Sequence, residues 1–77
     1  MEELLQYIVV EITGEKPESI TNHTEAEIVT YTVSVKKEHM GTLIGKNGRM
    51  INAIRTIART RGAKEDARVN IELQEIY

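Results

Sequence analysis

The 77-residue sequence contains no cysteine, tryptophan or phenylalanine, and only one proline, one aspartate and two histidines. No disulfide can staple the chain, which fits a reducing compartment, and no thiolate is present to hold zinc or attack a substrate. His23 and His39 stand sixteen positions apart on different elements, so a metal or catalytic centre has very little material. Neither is expected, and no cofactor is expected. No apolar run approaches the roughly 18 residues of a membrane span, and Met1-Glu2-Glu3-Leu4-Leu5 is acidic where a secretory signal is basic. A soluble, cytoplasmic chain with no membrane partner is the expectation.

What is present is aliphatic. Ten Ile, six Val and four Leu, with a few Ala and Met, must build the core of one small domain spanning 1–77. The net charge of −2 argues, at face value, against a nucleic-acid partner. The average conceals a split: residues 36–68 hold nine Lys or Arg against three acids, a net +6, while the remainder holds Lys16 against nine Glu, a net −8. A basic half is thus joined to an acidic half, and the distribution bears on partners more than the sum does.

Periodicity orders the elements. Leu4, Leu5, Ile8 and Ile12 share a helical face over 2–13, with Glu2 and Glu3 at the positive helix end and Gly14 as a stop. A weak strand is expected over 19–24, followed by a turn at Glu25-Ala26-Glu27. The strand signal over 28–35 is clearer, because Val29, Tyr31, Val33 and Val35 alternate with Thr30, Thr32 and Ser34. Met40, Leu43 and Ile44 then mark a short helix over 37–44. Ile51, Ile54, Ile57 and Ala58 line a core-facing stripe of a second helix over 49–61, which Gly62 ends. Alternation returns over 67–73, giving a last strand. Tyr7, Tyr31 and Tyr77 read as packing residues, and the two histidines as structural or surface residues.

Between the two later helices lies Gly45-Lys46-Asn47-Gly48. Two glycines three apart free the backbone to turn tightly and approach a ligand, and the N–H groups of such a turn point outward at the head of the next helix. Lys46 adds a charge, Asn47 an amide, and Arg49 follows at once. A nucleotide-binding P-loop fails at two points: three residues rather than four separate Gly41 from Gly45, and Asn47 stands where Mg²⁺ needs Ser or Thr. A bare helix-turn-helix connection and a nucleic-acid clamp both remain open on the loop alone. The +6 segment around it favours the clamp.

Leu43-Ile44-Gly45-Lys46-Asn47-Gly48-Arg49-Met50-Ile51 resembles the signature of the KH family of single-stranded nucleic-acid binders: an apolar pair, Gly-x-x-Gly, then an apolar residue two positions after the residue that follows. The element order matches over nearly the whole chain, and the extra N-terminal helix and strand resemble the bacterial type II arrangement. Size, the Glu-Glu-Leu-Leu start and the run from Met40 to Arg49 are most similar to the small bacterial single-KH proteins of the KhpA-like group. The resemblance implies an α+β fold of order α-β-β-α-α-β, with three helices packed on one face of a three-stranded mixed sheet.

It also implies a non-enzymatic RNA-binding protein, a post-transcriptional regulator or RNA chaperone, whose loop and flanking helices clamp the backbone of about four unpaired nucleotides. Carried over residue by residue, Gly45 and Gly48 allow the close approach, Lys46 and Asn47 face phosphate, and Arg49 begins the second helix with its N–H groups nearby. Met40, Ile44, Asn52 and Arg55 complete the expected RNA-binding surface on the adjoining helices. The missing Trp and Phe fit, since RRM sheets and OB folds stack bases on aromatic rings and a KH groove does not need them. RNA and single-stranded DNA both remain open as ligands. The resemblance further implies homodimers or pairing with a second KH-containing protein. The alternative is a protein-interaction or dimerisation module whose groove binds no RNA.

Overall fold

A computed structural model describes residues 1–76; Tyr77 lies outside them. The chain runs α1 (Glu2–Thr13), β1 (Ser19–Glu25), β2 (Ile28–Lys36), α2 (Lys37–Ile44), a single 3-10 turn (Lys46–Gly48), α3 (Arg49–Lys64) and β3 (Arg68–Ile76). The architecture is α+β, three helices with a three-stranded mixed sheet, as expected from the sequence. α1 stops at Gly14, which takes the left-handed conformation (φ 83°) and donates its N–H to Val10 O at 2.8 Å.

β2 is the central strand. It pairs antiparallel with β1, Ile20 against Val33 and Asn22 against Tyr31, and parallel with β3, Tyr31 against Ile71 and Val33 against Leu73. Side chains alternate across a sheet, so this register sends Ile20, Tyr31, Val33, Ile71 and Leu73 to one face. On the other face it sets a polar array including Thr21, His23, Thr30, Thr32, Ser34, Asn70 and Gln74. The parallel pairing of β2 and β3 requires a crossover, and α2, the turn and α3 form it.

The core is wholly aliphatic: Leu5 and Val9 of α1, Val33 and Val35 of β2, Leu43 of α2, Ile51, Ile54 and Ala58 of α3, and Ile71 of β3. Ser34 departs from the expected alternation. It is 8% exposed because it sits on the middle strand, between Ser19 and Gln74 across the register, and its hydroxyl donates to Gln74 Oε1 at 3.4 Å.

Three sequence expectations need correcting. Gly62 does not end α3, which continues to Lys64; it is buried inside the helix, where a Cβ would fall 2.6 Å from Val69 Cγ2 and 2.9 Å from Ala67 O. Ile57 is 46% exposed and lies outside the core, because the buried positions of α3 are Ile51, Ile54, Ala58 and Gly62, and Ile57 stands about 100° away from Ala58 on the helix. Tyr7 is 64% exposed and is not a packing residue.

Candidate nucleic-acid interface

The glycine loop obtains its shape from three residues with positive φ. Gly45 adopts φ 76°, ψ 175°, a region essentially confined to glycine, and donates its N–H to Gly41 O at 2.9 Å, closing α2. Asn47 (φ 56°, ψ 28°) and Gly48 (φ 75°, ψ 13°) follow in the left-handed region. Asparagine tolerates that region better than most side chains. Gly45 is required a second time, since a Cβ there would lie 2.7 Å from Met50 Cβ and 2.8 Å from Met50 N. α2 and α3 therefore join at near backbone contact, and the turn projects from the junction.

Lys46, Asn47 and Arg49 are exposed, and Gly45 and Gly48 half-buried. Lys46 and Arg49 enter no ion pair among the described residues, where Lys36 and Arg61 do. No side chain caps the head of α3, so the positive end of a sixteen-residue helix and two free cations face the same solvent. An anion placed there meets backbone dipoles and charge together.

Asn52 sits beside the turn: its Nδ2 is 3.9 Å from where a Gly48 Cβ would stand. Arg55 follows one turn later on the same flank of α3, half-buried, donating Nε–H to Ile71 O of β3 at 3.3 Å. That bond spans from α3 to β3 and leaves the terminal guanidinium nitrogens with no hydrogen bond among the described residues. Ile44, at the end of α2, is 38% exposed, whereas Met40 packs against the core. The structure thus brings Gly45 to Arg49, Asn52, Arg55 and Ile44 to one end and one flank of the helix pair. The tie from Arg55 to Ile71 was missed in the sequence. Only an Arg within reach of a strand edge would signal it, and that distance depends on register.

The other flank of α3 differs. Ile57, Thr56, Thr60, Arg61 and Lys64 line, with Leu4 of α1, an open depression of about 330 Å³. Arg61 is paired with Glu65 at 3.1 Å there.

The structure also gathers Glu15, Glu38 and His39, whose ligand atoms lie within 4.8 Å of one another. Sequence separation concealed the grouping. Glu15 is already satisfied, however. Its Oε2 accepts from Lys36 Nζ at 3.2 Å and its Oε1 from His39 Nε2 at 3.3 Å. The Lys36 hydrogen bond and charge, followed by the His39 hydrogen bond, hold its carboxyl below the usual 4.5. A built-in ammonium opposes a divalent cation, so the cluster reads as a surface ion network fastening the α1–β1 loop to the start of α2.

This element order, mixed sheet and Gly-x-x-Gly turn between two helices define a KH domain of the type II arrangement. The family described as KhpA/KhpB, KH domain, matches residues 2–73, and the chain belongs to that family. It is 38% identical over 76 residues to the RNA-binding protein KhpA of Listeria monocytogenes, covering 97% of this chain and 100% of the relative. It is 35% identical over 81 residues to the RNA-binding protein KhpA of Chlamydia pneumoniae, covering 97% of each. To that of Oceanobacillus iheyensis it is 32% identical over 74 residues, covering 95% and 99%.

Proposed function

We propose that this chain is a cytoplasmic, non-enzymatic binder of unpaired RNA, holding the backbone of about four nucleotides against the Gly45–Arg49 turn and the α3–β3 flank. The observation that carries the reading is the turn itself: left-handed backbone at Asn47 and Gly48, with Lys46 and Arg49 exposed and unpaired at an uncapped helix head. Phosphate lies over the turn, and Asn52 and Arg55 offer donors to base or sugar edges further along. The relatives' name, RNA-binding protein KhpA, supports RNA as the ligand. Binding by a single copy is loosely specific and draws much of its affinity from phosphate, which suits a post-transcriptional regulator or RNA chaperone.

Replacing Lys46 and Asn47 together by Asp tests this. Aspartate tolerates the left-handed region, so the fold survives while phosphate is repelled. RNA affinity should fall at least about tenfold, and the slope of affinity against salt should flatten. A folded double variant that binds RNA normally removes the loop from the site.

A second surface supports pairing with another KH-containing chain, a second copy or a different protein. The half-exposed Ile57, beside Leu4 on the flank away from the proposed RNA path, is the observation behind it. Ile57→Asp should then shift the sedimentation profile to monomer; an unchanged profile rejects this flank. Two loosely specific sites joined in one particle reinforce each other through effective concentration.

A further inference from the structure

The α3–β3 flank does not end at Arg55. Below it, Arg59, Ala67, Arg68 and Val69 line a depression of about 320 Å³ at the foot of β3. Arg68 and Val69 also line a second depression of about 490 Å³ together with His23, Ile28, Thr30 and Asn70, four residues that the register places on the outer face of the sheet. The two depressions therefore share Arg68 and Val69 at the start of β3. Arg59 and Arg68 are exposed and make no ion pair among the described residues. Glu25, the one acid lining the outer depression, is engaged by His23 Nε2 at 3.3 Å.

We infer that the outer depression at His23, Thr30 and Asn70 holds a base of the same RNA strand beyond the nucleotides in the groove, with Arg68 gripping the phosphate where the strand turns the corner. The chemistry fits an unpaired base. A chain without Trp or Phe has in His23 a ring on which a base stacks, the Asn70 amide and Thr30 hydroxyl supply both donors and acceptors for a base edge, and the volume lies in the range of small-ligand sites. The cations Arg49, Arg55, Arg59 and Arg68 then form one path from the turn to the sheet. The inference rests on the groove reading above and extends the footprint from one face to two.

The test measures binding of an oligouridine tetranucleotide and octanucleotide at one fixed low salt. A longer strand also gains by offering more registers, so the deciding comparison is between proteins at each length. Arg68→Ala and His23→Ala should each weaken the octanucleotide by about three- to tenfold and leave the tetranucleotide unchanged. In the unaltered protein, the His23 and Asn70 amide resonances should shift with the octanucleotide only. If Lys46→Asp/Asn47→Asp weakens both lengths but Arg68→Ala and His23→Ala weaken neither, or both lengths equally, the extension is overturned and the groove stands. If Lys46→Asp/Asn47→Asp leaves tetranucleotide binding intact, the groove reading falls and the extension falls with it.

Discussion

Gly62 of α3 and Val69 of β3 approach so closely that a single methyl group on the glycine would stand 2.6 Å from Val69 Cγ2. The helix therefore lies directly on the strand at the foot of the proposed RNA path, and the spacing of that path is set by the absence of one side chain. Gly62→Ala offers a test with opposed signs. Helix propensity alone favours alanine by about 1 kcal/mol, whereas overpacking against Val69 and the Ala67 carbonyl costs about 1–3 kcal/mol. The structure predicts that packing wins: the variant loses stability in denaturant titration. In a double-mutant cycle Gly62→Ala should cost less in a Val69→Ala background than in the unaltered protein, though still something, because the contact with Ala67 O remains.

The two loop glycines are predicted to differ. At Gly45 a Cβ would meet the Met50 backbone, and the backbone itself lies in a region closed to other residues. Gly45→Ala should cost on the order of 3 kcal/mol, combining strain with overpacking. At Gly48 nothing lies closer than 3.9 Å, and only φ objects. Gly48→Ala should cost about 1–2 kcal/mol. Thermal melts that rank the two in the reverse order would contradict the helix junction described here.

How much was legible follows from what each residue type encodes. The order of elements was readable because Val29 to Val35 alternate and Ile51, Ile54 and Ala58 recur at helical spacing. The loop was readable because Gly45 and Gly48 declare a backbone requirement by their identity. Gly62 misled for a related reason: the same letter serves a helix stop and a close approach, and only the distance to Val69 separates them. Ser34 was misplaced because burial on a middle strand comes from both neighbours, Ser19 and Gln74, which register alone brings together. Likewise, the Arg55 bond to Ile71 O and the gathering of Glu15, Lys36 and His39 depend on tertiary distances with no local pattern.

The hairpin between β1 and β2 carries strain that can be relieved. Ala26 (φ 52°) and Glu27 (φ 65°) occupy both central positions with positive φ, the requirement of a type I′ turn, for which Asn-Gly is favoured. Ala26→Asn with Glu27→Gly should raise stability by about 1 kcal/mol, the relief of strain exceeding the greater freedom glycine gives the unfolded chain. The measurement is the shift in urea midpoint at constant m-value.

The Glu15 network predicts a pH dependence of defined sign. Lys36, and then His39, hold the Glu15 carboxyl below 4.5, so its contribution is complete above that value and disappears as pH falls through the folded-state value. Lys36 is raised above 10.5, chiefly by its hydrogen bond to Glu15, so its contribution holds below 10.5 and disappears as pH rises through its folded value. Both partners are solvent-exposed and the effect is small. Glu15→Gln should lower the melting temperature slightly at neutral pH and merge with the unaltered protein near pH 2. A difference that persists undiminished into acid would mean Glu15 acts through packing.

Ile54 and Ile57 are one turn apart, identical in type, and both fit a loose apolar stripe when the sequence is read alone. Their burial separates them: Ile54 is 5% exposed and Ile57 46%. The helix buries positions 51, 54, 58 and 62, a stripe on the side where α3 packs against β3 and α2, and Ile57 falls outside it toward Leu4 and the open depression on the other flank. Ile54→Ala should therefore cost about 2–5 kcal/mol through the cavity it leaves. Ile57→Ala should cost under about 1 kcal/mol in the isolated monomer, because the removed atoms are already half in water. Should Ile57→Ala prove costly only at high protein concentration, the lost contact is one made with a second chain, and the side chain is retained for association rather than for folding.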